Sequence, residues 1–162
     1  MAVPKIEKAV VNAGFGRLAV SLSGDEQKKS REAIFKDLSI ICGQAPVFTR
    51  AKKSISSFKL RQGMVVGVKV TLRREKMYSF LERLINIALP RSRDFRGIDP
   101  KSVDEFGNLT IPILEQIIFP EVSAEQARRI FGFEVTVTTT AKTKEEGLEL
   151  LRGMGFPIKR QI

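Results

Sequence analysis

One stretch of ten residues, 65–74, constrains the fold of this 162-residue chain more than any other feature, because its side chains alternate cleanly between apolar and polar. The apolar positions are Val66, Val68, Val70 and Leu72, and the polar positions between and after them are Lys69, Thr71 and Arg73. Successive side chains of a strand point to opposite faces. The pattern therefore predicts a strand with one face in a core and a second face that is basic and hydroxyl-bearing.

Strand and helix patterns alternate along the rest of the chain. Residues 5–13, 46–51 and 133–140 are typical of strands, the last with one mainly threonine face. Apolar residues at spacings of three and four predict helices before Gly43 and between residue 77 and Pro90. Patterns typical of helix caps predict helix starts at Ser23, Ser123 and Thr143. Residues 106–108 predict a hairpin turn.

No internal repeat, low-complexity tract or long linker divides the sequence, so we expect one domain covering residues 1–162. The order of the elements predicts an α/β fold of the α+β type. We expect a two-layer sandwich in which helices cover one face of an antiparallel or mixed sheet. The second sheet face would then be bare of helices and would carry Lys69, Thr71 and Arg73, an arrangement that suits RNA binding.

The positive charge of the chain is concentrated in one segment. The net charge is +10, and residues 47–76 alone contain nine basic side chains against one acidic side chain, Glu75. So local an excess would attract a polyanion and release its counterions on binding. Two other interpretations stay open here: a basic face kept for solubility, and attraction to a membrane surface. No basic amphipathic helix with bulky apolar residues supports the membrane.

Residues that usually carry catalysis are missing or scattered. The sequence has no histidine, which excludes Ser-His-Asp and Cys-His nucleophiles and His-ligated zinc, and no paired carboxylates are apparent. The single cysteine, Cys42, is interpreted as a buried core residue in a reducing compartment. No apolar run approaches the ~20 residues that span a bilayer. We therefore expect a cytosolic binding protein with no enzymatic activity and no cofactor.

Two alternative functions belong to other classes. A basic RNA-processing or RNA-modifying enzyme would need an acid–base or metal-bearing site, which the scattered carboxylates do not provide. A general nucleic-acid chaperone or DNA-binding module would bind duplex DNA as well as it binds a structured RNA. The sequence alone does not decide between this last class and a specific RNA-binding protein.

Three longer motifs point to one family. They are GQAPVFTRAKKSI at residues 43–55, with its continuation to residue 73; ALPRSRDFRG at residues 88–97; and EQIIFPE at residues 115–121, followed later by TTAKT at residues 139–143. In these motifs, and in the first predicted strand, the chain resembles the bacterial large-subunit ribosomal protein five family, which binds 5S ribosomal RNA. The resemblance covers nearly the whole chain in order.

The resemblance implies a non-enzymatic constituent of the large ribosomal subunit, in the central protuberance on 5S rRNA. It also implies contacts with large-subunit rRNA, with the P-site tRNA and with small-subunit ribosomal protein thirteen, and no metal or small-molecule substrate. The implied rRNA-binding residues are Asn12, Gln44, Thr49, Arg50, Lys52, Lys69, Thr71 and Arg73. The implied tRNA-binding residues are Lys53, Ser54, Phe58, Lys59, Arg61 and Gln62.

The chain departs from the family pattern in two places. The family usually carries a helical extension before its first strand, whereas this sequence starts almost at that strand. Around the predicted hairpin, Val103, Glu105, Leu109 and Pro112 stand where the family tends to have Phe, Gly, Tyr and Gly. The second departure weakens the expectation that residues 94–110 make the contact between the ribosomal subunits.

Overall fold

Five strands and three main helices form the regular structure in the computed structural model, which describes residues 3–16, 24–93, 95–122 and 129–159. The strands are β1 (Ile6–Gly14), β2 (Val47–Arg50), β3 (Val65–Leu72), β4 (Leu109–Ile113) and β5 (Phe133–Thr139). The helices are α1 (Gly24–Cys42), α2 (Arg74–Arg83) and α3 (Lys144–Gly153). The α+β class predicted from the element order is confirmed.

All strand pairs of the single sheet are antiparallel, and the spatial order is β2-β3-β1-β5-β4. The central position belongs to β1, which pairs with β3 on one side and with β5 on the other. The strands predicted from residues 5–13, 46–51, 65–74 and 133–140 are all present. Because β1 is the first strand along the chain and β5 is the last, their pairing joins segments more than 120 residues apart.

The core lies between the helices and one face of the sheet. The strands contribute buried residues at every second position, among them Ala9, Val11, Ala13, Val68, Val70, Leu72, Val135 and Val137. The helices contribute Ile34, Leu38 and Ile41 from α1 and Met77, Phe80 and Leu81 from α2. Each buried valine, leucine, isoleucine, methionine or phenylalanine side chain stabilises the fold by roughly 1.5–3 kcal/mol relative to exposure. This layer of helices leaves the other face of the sheet to solvent.

Cys42 lies in this core and is 2% exposed. Burial raises the pKa of its thiol to about 12, against the smaller opposite influence of the nearby Arg83 charge. A thiol with so high a pKa is protonated at neutral pH and is a poor nucleophile. The interpretation of Cys42 as a structural residue is therefore confirmed.

The end of the second helix differs from the prediction. Helix α2 continues through a π-helical turn (Leu84–Ala88) into a last α-helical turn (Leu89–Arg91), so that Pro90 lies inside the helix instead of ending it. The prediction of an end at Pro90 was wrong by one residue. A proline removes only one backbone donor, and here the wider π turn ends two residues before Pro90 and a single helical residue follows it.

The cap prediction at Thr143 is confirmed, because its hydroxyl oxygen accepts a hydrogen bond from the backbone N–H of Glu146 at 3.3 Å. Gly43 ends α1 with a φ of +62°, the left-handed conformation that glycine adopts at little cost. The predicted caps at Ser23 and Ser123 lie outside the described residues.

The hairpin turn predicted at residues 106–108 is present, and it joins residue 103 to β4. The backbone N–H of Asp104 donates to the carbonyl of Asn108 at 2.9 Å, and Val103 pairs with Leu109. The Asp104 carboxylate accepts hydrogen bonds from the backbone N–H groups of Phe106 and Asn108 and from the Asn108 side chain. The turn therefore keeps a defined shape with the residues that replace the family pattern.

Candidate nucleic-acid interface

The sheet face that the helices leave open is defined by the register of the strands, and we call it the open face. On it, Asn12 of β1 is the Cα partner of Lys69 on one side and of Glu134 on the other. This row of side chains ends at Val47 on β2 and Pro112 on β4. All five of these residues are exposed. A single line across five strands thus presents a cation, an amide and a carboxylate.

A second row, on β3, β1, β5 and β4, lies two residues away from the first row on each of these strands. Thr71 of β3 is the Cα partner of Val10, which pairs in turn with Thr136, and Thr136 pairs with Thr110 on β4. All four side chains are partly exposed. Three hydroxyl groups therefore share one line, and hydroxyl groups can both donate and accept hydrogen bonds.

Arg73 and Lys8 extend the open face towards the start of α2. The backbone of Arg73 is extended, and the residue before it, Leu72, is the Cα partner of Ala9. Because side chains alternate along a strand, Arg73 points to the same side as Lys69 and Thr71. Lys8, the partner of Thr138, occupies the neighbouring position on β1. Two cations thus flank the hydroxyl-bearing row.

Gln44 reaches β3 beside Thr71, at the edge of the open face, from the loop between α1 and β2. Its side-chain amide donates a hydrogen bond to the backbone carbonyl of Thr71 at 3.1 Å, and the side chain is half-buried. Strand β2 begins at Val47, opposite Lys69, so it does not extend to Thr71 on β3. The Gln44 amide donates to the Thr71 carbonyl in its place. The second amide hydrogen and the side-chain oxygen form no further hydrogen bond with the described residues.

Thr49 and Arg50 lie on β2, at the edge of the open face. Thr49 is opposite Gly67, and a side chain at Gly67 would place its Cβ only 2.8 Å from the Thr49 hydroxyl oxygen and 2.8 Å from the carbonyl oxygen of Ala13. Glycine at this position therefore allows Thr49 to lie over β3. The Arg50 guanidinium donates to the carbonyl of Gly63 at 3.5 Å and is otherwise exposed.

The segment between β2 and β3 forms an exposed arm, residues 51–64, which we call the basic arm. Its base is closed by backbone hydrogen bonds from Ala51 to Met64 at 2.8 Å and from Gly63 to Ala51 at 2.9 Å. Near its tip, Ile55 and Leu60 pair, and the Ser54 hydroxyl accepts from the backbone N–H of Gln62 at 2.9 Å. The arm is thus an ordered protrusion that begins beside the open face.

The side chains of the arm point largely into solvent. Lys52, Lys53, Ser54, Phe58, Lys59, Arg61 and Gln62 are all exposed. Phe58 is 65% exposed although it is apolar. Lys59 has a φ of +52°, an uncommon conformation for a residue with a side chain, and it ends the short 3₁₀ turn Ser56–Phe58. The arm therefore presents cations and one exposed aromatic ring to solvent.

The cations of the open face are not neutralised by nearby acids. The described residues form two ion pairs, Arg83 with Glu121 and Arg152 with Glu149, and neither lies on the open face. Lys69 and Arg73 have no acidic partner among the described residues. The positive charge predicted from the sequence is therefore exposed and available to a polyanion.

Nothing in the described residues resembles a catalytic centre. No group of three or more acidic, cysteine or histidine side chains there is arranged to hold a metal ion. Burial raises the pKa of Asp37, against a hydrogen bond from Gln116 and the charge of Lys36, so the shift follows from burial and not from a paired carboxylate. In the same part of the chain, no helix is long and apolar enough to cross a membrane.

The structure brings together the five residues on which the predicted RNA-binding surface depends: Asn12, Gln44, Lys69, Thr71 and Arg73. It adds neighbours that the sequence did not single out, namely Lys8, Val10, Thr110, Glu134 and Thr136. The alternation in residues 133–140 indicated a polar face on that strand. Only the strand order shows that this face lies beside Asn12.

Known proteins match the chain along almost its entire length. A family model for ribosomal protein L5 matches residues 1–61, and a second model, for the C-terminus of the same ribosomal protein family, matches residues 65–158. The chain is 54% identical over 159 residues to the large ribosomal subunit protein uL5 of Syntrophomonas wolfei, which covers 98% of this chain and 86% of the relative. It is 52% identical over 160 residues to the protein of the same name from Alkaliphilus oremlandii, covering 99% and 86%. Its identity to that of Nitrosococcus oceani is 54% over 159 residues, covering 98% and 84%.

Proposed function

Because the chain belongs to the ribosomal protein L5 family, and so is a non-enzymatic structural constituent of the large ribosomal subunit, we propose that it binds 5S rRNA through the open face. Its compartment is that of the ribosome, which in bacteria is the cytoplasm. One observation carries the proposal: the cations, amides and hydroxyls predicted from the sequence lie together on a face of the sheet that none of the described helices covers.

The chemistry of the side chains indicates which of them would contact phosphates and which would contact bases and 2′-hydroxyls. Lys69, Arg73, Arg50 and Lys52 are exposed cations that suit phosphates, and contacts of this kind position an RNA without reading its sequence. The hydroxyl of Thr49 suits the same backbone. Asn12, Gln44 and Thr71 can donate and accept, so they suit base edges and 2′-hydroxyls, which distinguish one RNA from another.

The basic arm is the segment that we propose reaches the P-site tRNA. Its tRNA-binding candidates are Lys53, Ser54, Phe58, Lys59, Arg61 and Gln62, all exposed. Backbone pairing at the base of the arm and near its tip gives it a defined shape of its own, so we propose that the arm and the open face contact two different RNAs. Phe58, at 65% exposure, offers a ring on which a base or ribose can stack.

The turn between residue 103 and β4 supports a proposed contact with small-subunit ribosomal protein thirteen. The hydrogen bonds to Asp104 hold the turn in one shape, and Phe106 at its tip is 66% exposed. An ordered turn with an exposed aromatic side chain is a typical anchor for a protein partner. Contacts with large-subunit rRNA complete the set of partners that we propose.

A gel-shift titration with 5S rRNA tests the proposal. If about 5–8 phosphates are engaged, the logarithm of the affinity should fall with the logarithm of the salt concentration with a slope of several units. Excess tRNA should compete poorly for the open face. Binding without salt dependence, or equal affinity for duplex DNA and 5S rRNA at physiological salt, would contradict a specific RNA-binding role.

Two substitutions separate the open face from the basic arm. Thr71→Ala should cost about 1–3 kcal/mol of 5S binding, because it removes a hydroxyl from the centre of the open face. Lys59→Ala should leave 5S affinity almost unchanged, because Lys59 lies on the arm. Equal losses from both substitutions would mean that the open face is not the surface that recognises 5S rRNA.

A further inference from the structure

A carboxylate, Glu134, lies among paired positions of the open face that are otherwise neutral or cationic. Glu134 is exposed, and its Cα partners are Asn12 on β1 and Pro112 on β4. Among the paired positions of the open face that the structure describes, it is the one acidic residue. Its position beside Asn12 puts it within the proposed recognition surface and not at its border.

The neighbours of Glu134 do not neutralise it. The positions next to it on the open face hold Asn12, Pro112 and Thr136, none of which carries a charge. The cation in its row, Lys69, lies two strands away, which is roughly 10 Å at the usual strand spacing of about 4.8 Å. Glu134 belongs to neither of the two ion pairs in the described part of the chain. On a face that binds a polyanion, such a charge repels any phosphate placed over it.

The hydrogen-bonding chemistry of a carboxylate limits what it can bind in RNA. An ionised carboxylate only accepts hydrogen bonds, and a phosphodiester has no donor to offer. The donors of RNA are the 2′-hydroxyls and the imino and amino groups of the bases. On the Watson–Crick edge of guanine, N1–H and N2–H lie side by side, so they can occupy the two oxygens of one carboxylate. Unpaired bases in loops and bulges present this edge to proteins.

We propose that Glu134 is a specificity-determining residue that accepts hydrogen bonds from N1–H and N2–H of an unpaired guanine in 5S rRNA. This inference rests on the proposed function. Asn12, the cross-strand neighbour, is placed to contact the same nucleotide or the one next to it. The carboxylate therefore contributes in two ways: it attracts one base edge, and it disfavours placements that bring phosphate to this position.

The variant Glu134→Gln tests the proposal, because it keeps the shape of the side chain and removes its charge. Its affinity for 5S rRNA should fall about tenfold or more, as expected for the loss of a two-point base contact. Its affinity for poly(U), which has no guanine, should stay equal or rise slightly. Glu32→Gln is the matched control, because Glu32 is an exposed carboxylate on α1 in the helix layer, and both affinities should stay within about twofold.

Kethoxal, which modifies the N1 and N2 positions of unpaired guanine, identifies the nucleotide. We expect the wild-type protein to protect at least one guanine of 5S rRNA that Glu134→Gln leaves reactive, with the other protected positions unchanged. Equal strengthening of both RNAs by Glu134→Gln, or an unchanged protection pattern, would show that the carboxylate only repels and would overturn the inference. A wild-type protein that did not distinguish 5S rRNA from poly(U) would overturn the proposed function as well.

Discussion

Replacing Gly147 by alanine gives a direct test of the packing between α3 and the turn before β4. A Cβ at this position would lie 2.3 Å from the Cα of Gly107 and 2.7 Å from its carbonyl oxygen. Both atoms belong to the backbone, so no side chain can rotate away. Gly107 itself has a φ of +75°, and the hydrogen bonds to Asp104 hold its turn in place. The helix or the turn must therefore move to admit one methyl group.

The expected sign is the opposite of the usual one. In an open helix, Gly→Ala stabilises by roughly 0.5–1 kcal/mol, because alanine is the better helix former. Overpacking of a tight contact costs typically 1–3 kcal/mol, and more when only backbone is available to yield. We expect Gly147→Ala to lower the free energy of unfolding by about 1–3 kcal/mol. For a domain of this size, that corresponds to a fall in Tm of roughly 2–12 °C.

Thermal unfolding followed by circular dichroism measures the effect, with Gly153→Ala as the matched control. Gly153 is the last residue of the same helix, and a Cβ there would meet no atom within 4 Å. This control should leave Tm unchanged or raise it slightly. If Gly147→Ala were as stable as Gly153→Ala, the close contact between α3 and Gly107 would not exist in solution, and the proposed shape of the exposed turn would lose its support.

Three further predictions concern stability. Desolvation alone would raise the pKa of Asp104, but hydrogen bonds from Asn108 and Phe106 outweigh it and hold the pKa below its ordinary value of 3.8. The ionised carboxylate therefore stabilises the fold. The Tm advantage of the wild type over Asp104→Asn should be complete at pH 7 and should disappear as the pH falls below 3.8. Burial raises the pKa of Asp37, so the ionised carboxyl group destabilises the fold above pH 3.8. Asp37→Asn should therefore have a higher Tm than the wild type at pH 7 but not at pH 3. A gain in Tm of the same size at both pH values would refute the raised pKa of Asp37. Gly67→Ala would place a Cβ 2.8 Å from the carbonyl oxygen of Ala13 and should lower Tm, whereas Gly14→Ala, on the paired strand with no atom within 4 Å, should not.

Local patterns in the sequence predicted local structure well. The alternation in residues 65–74 placed Lys69, Thr71 and Arg73 on one face of β3, because the period of a strand follows directly from its backbone geometry. The same reasoning found the polar face of β5 and the cap at Thr143. The end of α2 was less predictable, because a π-helical turn, not visible in the apolar spacing, carries the helix past Pro90.

Contacts between distant segments could not be read from the pattern. The pairing of Asn12 with both Lys69 and Glu134 depends on the strand order, which brings together residues more than 120 positions apart. The sequence alone therefore shows Glu134 only as an acid in a threonine-rich strand. The strand register is needed to place it beside Asn12. The hydrogen bond from Gln44 to the Thr71 carbonyl is hidden in the same way, because it depends on where β2 begins.

The two layers of the fold separate stability from recognition, and this separation decides which substitutions are informative. Residues whose side chains are exposed on the open face, such as Asn12 and Glu134, point away from the core, so their substitution should alter RNA affinity at unchanged Tm. Gln44 also supports the fold, because its half-buried side-chain amide donates a hydrogen bond to the backbone carbonyl of Thr71 on β3. A loss of 5S binding in Gln44→Ala would combine a missing contact with a displaced strand edge. Asn12→Ala isolates the contact alone, so a change in RNA affinity without a change in Tm in this variant is the observation that links the open face to RNA.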